Sequence, residues 1–370
     1  MKIGVISDTH SDRANALPHI IREFKNRNVD VIVHCGDIEI QHIGSEIFGD
    51  FEVFCALNLE QLEKPAFENL LEYPPPRWKF TSPIKRVLDL HHVRCYVGHK
   101  RSFDFLFSPE TKFEETLESL RKDNDGLRWV FAGHSHQQVC FQNHLISFVN
   151  PGAIEASMDG YEFAVVDTDT GQIIFSRIPK TKPVEKPFSI GVISDSLNIS
   201  QLDIDFWQKL RKELEDRGVT DIIHCGNIAV NDIGHKELEN FTVHYRLRKK
   251  QVYLGKPPKN WEPIPEEDSI VEINGRQFYI HSALARILLE ESGAEMHKEC
   301  LKTLESYPEV SFIFYGGTSD AFLQEGQRAR IINPGGIVPS RSFAVICFPR
   351  TEITFGYVPV DPLPPIEEEE

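Results

Sequence analysis

Ile3-Gly4-Val5-Ile6-Ser7-Asp8-Thr9-His10 opens the chain as a short β-branched run that ends in a carboxylate and an imidazole. The stretch from Ile3 to Asp8 returns almost unchanged as Ile190-Gly191-Val192-Ile193-Ser194-Asp195. Further along, Val31-Ile32-Val33-His34-Cys35-Gly36-Asp37 recurs as Ile222-Ile223-His224-Cys225-Gly226-Asn227, one residue shorter at its start. Pro75-Pro76-Arg77-Trp78 has a counterpart in Pro257-Pro258-Lys259-Asn260-Trp261, and Asn150-Pro151-Gly152-Ala153-Ile154 returns as Asn333-Pro334-Gly335-Gly336-Ile337. Phe-Ala-Val follows in both copies, at Phe163 and Phe343. Matches in one order at a nearly constant offset define a tandem repeat.

The expected organisation is a first copy over residues 1–178, a polar Pro- and Lys-bearing linker over 179–187, and a second copy over 188–360. Residues 361–370 form an acidic tail that ends in four Glu. Each copy alternates short β-branched runs with helical patterns. Leu17, Ile20, Ile21 and Phe24 lie at helical spacing, with Pro18 acceptable in a first turn, and Phe206, Leu210 and Leu214 repeat the pattern. Apolar strands separated by amphipathic helices predict α/β layers around a largely buried sheet. Ile146 to Val149 and Phe163 to Val166 read as strands of a second sheet packed on the first.

The formal net charge of −16 argues against a duplex nucleic-acid binder, because phosphate contact calls for a basic face. It does not exclude a small anionic substrate, since bound metal ions can dominate the field in a pocket. Seven scattered Cys suit a reducing compartment, with Cys35, Cys225 and Cys347 as ordinary thiols in apolar runs. No leader pattern precedes Ile3, and no window reaches the length of a membrane span. A cytoplasmic protein with no membrane association is expected.

In open α/β sheets, ligands gather at the carboxyl ends of strands. In the first copy those ends carry Asp8-Thr9-His10, Gly36-Asp37, Asn58 and Gly133-His134-Ser135-His136. Asp8 and His10 alone would equally suit a helix cap. Two His flanking a tight turn are harder to explain as packing. Together, carboxylate, imidazole and amide oxygen suit a borderline divalent metal.

The ordered set Asp-x-His, Gly-Asp, Asn, Gly-His-x-His resembles the calcineurin-like metallophosphoesterases. Asn150-Pro151-Gly152 is similar to the small prokaryotic phosphodiesterase branch, which the retromer scaffold subunit also resembles. The resemblance covers the first copy and, in outline, the second. It implies a four-layer α/β/β/α sandwich present twice, with two divalent ions, Mn first and Fe, Zn or Ni as alternatives. Asp8, His10, Asp37 and His136 would hold one ion. Asp37, Asn58 and His134 would hold the other, with Asp37 bridging. Hydrolysis would proceed by in-line attack of a metal-held hydroxide on phosphorus.

The chain departs from that pattern in two places. Where relatives carry a His-Gly pair after the strand Val93 to Val97, this chain reads Gly98-His99. His99 is then either a metal ligand reached by a one-residue slip or a rim acid that protonates the leaving group. Leu59 stands where relatives often place that acid. The second copy keeps Asp195 but offers Leu197, Asn227, Arg248, Gly317 and Ser319 at the other ligand positions, with His281 at the His-Gly place. Arg248 either pairs with Asp195 or points to solvent. The second copy is therefore expected to be inactive and to pair with the first inside one chain.

The sequence supports a metal-dependent phosphodiesterase or phosphatase acting on a small or nucleotide-like phosphoester. The alternative is a weakly active or inactive protein-binding scaffold with the same fold.

Overall fold

The structure, a computed structural model, describes residues 1–12, 15–39, 43–57, 61, 72–81, 86–99, 113–154, 160–180, 185–196, 204–226, 228, 236–246, 258–265, 269–281, 293–326 and 328–359. The first copy contributes β1 (Lys2–Ile6), α1 (Leu17–Asn26), β2 (Val31–His34), β3 (Glu52–Ala56), β4 (Trp78–Thr81), β5 (Val87–Leu90) and β6 (Val93–His99). Then come α2 (Phe113–Asp123), β7 (Trp129–Gly133), β8 (Gln138–Gln142), β9 (Ser147–Pro151), β10 (Gly160–Asp167) and β11 (Gln172–Pro179). The second contributes β12 (Phe188–Ile193), α3 (Ile204–Glu215), β13 (Val219–His224), β14 (Thr242–Tyr245), β15 (Trp261–Pro263), β16 (Ile270–Ile273) and β17 (Arg276–Ile280). It ends with α4 (Gly293–Ser306), β18 (Phe312–Phe314), β19 (Ala321–Glu325), β20 (Arg330–Pro334), α5 (Ile337–Ser340), β21 (Ser342–Phe348) and β22 (Glu352–Tyr357).

Two sheets result, ordered β15-β14-β13-β12-β21-β22-β11-β10-β1-β2-β3-β4 and β16-β17-β18-β20-β19-β8-β9-β7-β6-β5. Each sheet is one strand order written twice outward from its centre. In the larger, β11-β10-β1-β2-β3-β4 answers β22-β21-β12-β13-β14-β15; in the smaller, β8-β9-β7-β6-β5 answers β19-β20-β18-β17-β16. The copies meet edge to edge in both. β11 pairs antiparallel with β22 through Ile173↔Phe355 and Phe175↔Ile353, and β8 pairs with β19 through Phe322↔Phe141 and Leu323↔Cys140.

Strand alternation sets the layers. Ile3 and Val5 of β1, and Cys95 and Val97 of β6, point into the core between the sheets, whereas Ile6 packs under α1 and Tyr96 under α2. Each copy is thus a four-layer α/β/β/α sandwich. Pro lies in the first turn of α1, and Asp12 caps it by accepting the amides of Ala16 (2.8 Å) and Leu17 (3.1 Å). The helix buries Leu17, Ile20, Ile21 and Phe24. The Phe24 ring lies over Gly4, where an added Cβ would stand 2.7 Å from it. Phe24→Ala would cost about 3–5 kcal/mol by the cavity it leaves. Among the described residues no helix is long and apolar enough to cross a membrane.

Candidate metal centre

The ends of β1 and β2 in one sheet converge on the ends of β6 and β7 in the other. The Asp8 amide donates to the Gly36 carbonyl (3.0 Å) and the His10 amide to the Asp37 carbonyl (3.0 Å), so the two loops run side by side. Across the sheets, Gly133 sits against Ser7, and a Cβ at Gly133 would fall 1.8 Å from Ser7 Oγ. Asp8, His10, Asp37, His134 and His136 all hold left-handed backbone, with φ of 53°, 45°, 57°, 106° and 58°. Non-glycine residues rarely adopt that conformation, and its concentration here marks a site where geometry outweighs local preference.

Asp8 is the hub. Its Oδ2 accepts the Ser7 hydroxyl at 2.5 Å and the His134 amide at 3.2 Å. Its Oδ1 is buried and takes no well-directed hydrogen bond, with His136 Nε2 at 3.1 Å and His99 Nε2 at 3.8 Å around it. A buried carboxylate oxygen ringed by imidazole nitrogens is a fitting place for a divalent cation. Burial pushes the Asp8 carboxyl up, but the His136 contact, the charge of His99 and the Ser7 hydrogen bond outweigh it and hold the group below the ordinary carboxylate value. It is therefore an anion near neutral pH. Two ligand groups, Asp8–His10–His136 and Asp8–Asp37–His99, each keep their donor atoms within 4.8 Å of one another. Asp37 Oδ2 also lies 3.2 Å from His10 Nε2, linking the groups.

His99 closes β6, pairing with Gly133. Because Cys95 and Val97 face the core between the sheets, alternation sends His99 to that same face. Gly98 faces the other way, where a Cβ would stand 2.5 Å from the Tyr96 ring. The His99 side chain is only 5% exposed, so it is inside the cluster and not on its rim. Its Nδ1–H donates to the Cys35 carbonyl at 3.1 Å, which leaves Nε2 bare and 3.2 Å from His134 Nδ1. Burial is the main cause that lowers the His99 pKa, and the charge of Asp8 raises it only in part. Gly36 permits this approach, since a Cβ there would meet His99 Cβ at 2.7 Å. Asn58 and Leu59 lie outside the described residues.

The second copy keeps the scaffold. Ser194 donates to Asp195 Oδ2 (2.6 Å), as does the Gly317 amide (2.7 Å), and Asp195 has φ 56°. At the ligand positions it carries Gly317 and Ser319, while Leu197, Asn227 and Arg248 lie outside the described residues. His281 sits 5.9 Å from the Tyr279 ring, and burial, with Arg246 adding to it and Glu299 opposing, lowers its pKa to about 4.

Ser7, His34 and Asn150 support the centre although sequence reasoning gave them no role. Neutral His34 accepts the Gly36 amide at Nδ1 (3.1 Å) and bonds Thr9 through Nε2 (3.0 Å). Asn150 donates to Ser135 (3.0 Å) and accepts the Gly152 amide (3.1 Å), pinning the turn that presents His134 and His136. The signal was in the repeat itself, where Ser194, His224 and Asn333 persist while the ligands change.

Residues 1–171 match the calcineurin-like phosphoesterase superfamily domain. A probable metallophosphoesterase of Methanocaldococcus jannaschii is 30% identical over 155 residues, 41% of this chain and 68% of that protein. A phosphodiesterase of the same organism is 23% identical over 171 residues, 46% of this chain and 94% of that protein. Among solved structures, an archaeal phosphodiesterase aligns with TM-score 0.38 at 18% identity, covering 48% of this chain and 100% of that one. Vacuolar protein sorting 29 from Cryptosporidium parvum aligns with TM-score 0.33 at 11% identity, covering 44% and 86%. The chain belongs to the calcineurin-like phosphoesterase superfamily. It is accordingly a metal-dependent hydrolase of phosphoester bonds, and the clustered His and Asp residues are its candidate metal ligands.

Proposed function

We propose that the first copy is a dinuclear phosphodiesterase or phosphatase centre for a small or nucleotide-like phosphoester, and that the second copy is not catalytic. The observation that carries this is the buried Asp8, whose Oδ1 has His136 Nε2 at 3.1 Å and His99 Nε2 at 3.8 Å around it. Asp8, His10 and His136 would hold one ion and His99, with Asp37, the other. His134, beside His99, and Asn58 would complete the second set, and Asp37, which also touches His10, would serve both. Ions so held supply Lewis acidity and a water acidic enough to attack phosphorus near neutral pH.

The protein's own contribution is placement. The Ser7 hydroxyl and His134 amide fix one Asp8 oxygen so that the other aims at the ion. The Cys35 carbonyl holds the His99 ring in the tautomer whose Nε2 can ligate. The carboxylates of this set suit Mn²⁺ and its imidazoles suit Fe, Zn or Ni, and Mn²⁺ is the ion proposed.

The test is metal analysis of the full chain with hydrolysis of bis(4-nitrophenyl) phosphate, after chelation and again after Mn²⁺ is restored. Close to two ions per chain and activity that returns with metal are expected. Full activity after exhaustive chelation overturns the proposal.

A further inference from the structure

Beside the metal centre, between the copies, lies a cleft of about 840 Å³ lined by His136 together with Arg177, Arg276, Arg328, Arg330 and Arg350. Among its described lining residues Glu325 is the only carboxylate. In a chain of net charge −16 this is a local reversal of sign. Apart from Arg177, these arginines come from the second copy.

Sheet register shows that their placement is one-sided. Arg276 opens β17 opposite Ile273 as Val93 opens β6 opposite Leu90. Arg330 pairs with Phe312 as Ser147 pairs with Trp129, which makes Arg328 the counterpart of Leu145. Arg350 lies in the loop closed by Cys347↔Glu352, where the first copy has Thr170 inside Asp167↔Gln172. Val, Leu, Ser and Thr in one copy thus answer Arg in the other. The equivalent cleft beside Ser319, about 730 Å³, sets Asp169 and Asp320 against Arg94, Arg128 and Arg341. Positive charge has collected on the side that reaches His136.

The arginines divide by their partners. Arg276 is paired with Glu185 (2.6 Å), Arg330 with Glu325 (2.9 Å), and Arg177 with Glu162 and with Glu325 (2.5 Å). Arg328 is exposed, and Arg350 is 63% exposed with Glu23 no nearer than 3.8 Å. The closely paired arginines fix the wall, while exposed Arg328 and Arg350, the latter with an ion pair to Glu23 that is long at 3.8 Å, can turn to an anion. A guanidinium fork matches phosphate oxygens two at a time. The cleft volume falls in the usual range for small-molecule sites.

We propose that the second copy supplies the first with a cationic subsite, so that the substrate is a phosphoester bearing a second phosphate group, held by Arg328 and Arg350 while the scissile phosphate meets the metal centre. The substrate class rests on the phosphoesterase reading of the first copy; the subsite itself does not.

Titrating tripolyphosphate into the full chain, dialysed free of metal so that the probe cannot bind through an ion, tests the subsite by calorimetry. Arg328→Ala with Arg350→Ala should weaken Kd about tenfold or more, the scale of hydrogen bonds to a charged group. Both side chains are exposed, and an unchanged thermal midpoint will certify the fold. In the Mn²⁺-loaded protein, kcat/KM for a 5′-phosphorylated dithymidylate, taken relative to bis(4-nitrophenyl) phosphate, should fall by a similar factor. No millimolar binding by the parent chain, or equal Kd in both proteins, overturns the subsite. Weakened Kd in a chain that hydrolyses neither ester upholds the subsite and overturns the phosphoesterase reading. Weakened Kd with an unchanged kcat/KM ratio overturns the assigned substrate class.

Discussion

His99 Nε2 stands 3.8 Å from Asp8 Oδ1, so that the last residue of β6 and the loop after β1 close on a single carboxylate oxygen. His99→Ala should therefore weaken Mn²⁺ affinity about 10- to 100-fold, the usual effect of disturbing a metal's ligand shell. Hydrolysis of alkyl and nitrophenyl esters should fall together, because a metal ligand matters whatever the leaving group. Chelator competition and kcat/KM on both ester classes check this; a loss confined to alkyl esters would make His99 a general acid instead.

Asp37→Ala should abolish turnover, since Asp37 joins the His10 side of the cluster to the His99 side. Asn227→Ala, at the corresponding position of the second copy, should leave turnover nearly unchanged. Equal losses in the two variants would sink the division into an active and an inactive half.

Asn150 and Asn333 make the same hydrogen bonds in their own copies, each donating to a hydroxyl and accepting a glycine amide. Either Ala substitution should cost about 1–3 kcal/mol by leaving buried polar groups unmet. Asn150→Ala should also loosen metal binding, because its turn carries His134 and His136. Asn333→Ala should lower the thermal midpoint and leave metal affinity alone. Identical metal affinity in both variants would remove Asn150 from the centre's support.

His34 and His224 are buried, and burial lowers each pKa from 6.5 to about 3. Each accepts a glycine amide at Nδ1, of Gly36 and of Gly226, so a second ring proton would face a donor. A histidine whose pKa is depressed on folding stabilises the native state above its unfolded pKa, and that stability is lost as pH falls from about 6.5 toward 3. Each should contribute a slope of about 1.4 kcal/mol per pH unit in that window. Denaturant titrations from pH 7 to pH 4 should show the decline, and His224→Gln should flatten it. A slope identical to the parent's would mean that His224 does not stay neutral in the fold.

The repeat and the strand ends that carry the candidate ligands were legible because they are local: a β-branched run followed by Asp or His announces a strand and the polar residue at its end. His99 was harder. Cys95, Tyr96, Val97 and Gly98 can all be buried, so composition does not say which alternate face holds the core, and that phase alone decides where His99 points. The arginine cleft was not legible at all, since Arg276, Arg328, Arg330 and Arg350 are brought together only by the register of distant strands. Asn58, expected as a ligand, lies outside the described residues.

The pairing of β11 with β22 and of β8 with β19 gives the second copy a task that does not depend on the residues at its strand ends. Removing residues 188–360 would strip the backbone partners from both edges at once and lay open the apolar side chains of Ile173, Phe175 and Cys140 beside them. An open edge of that kind recruits another chain. Constraint is then unequal along the second copy: its seam strands are tied to the first copy whatever stands at its strand ends, and a gene trimmed to the first copy would encode a protein that seeks a second molecule to replace the one it lost.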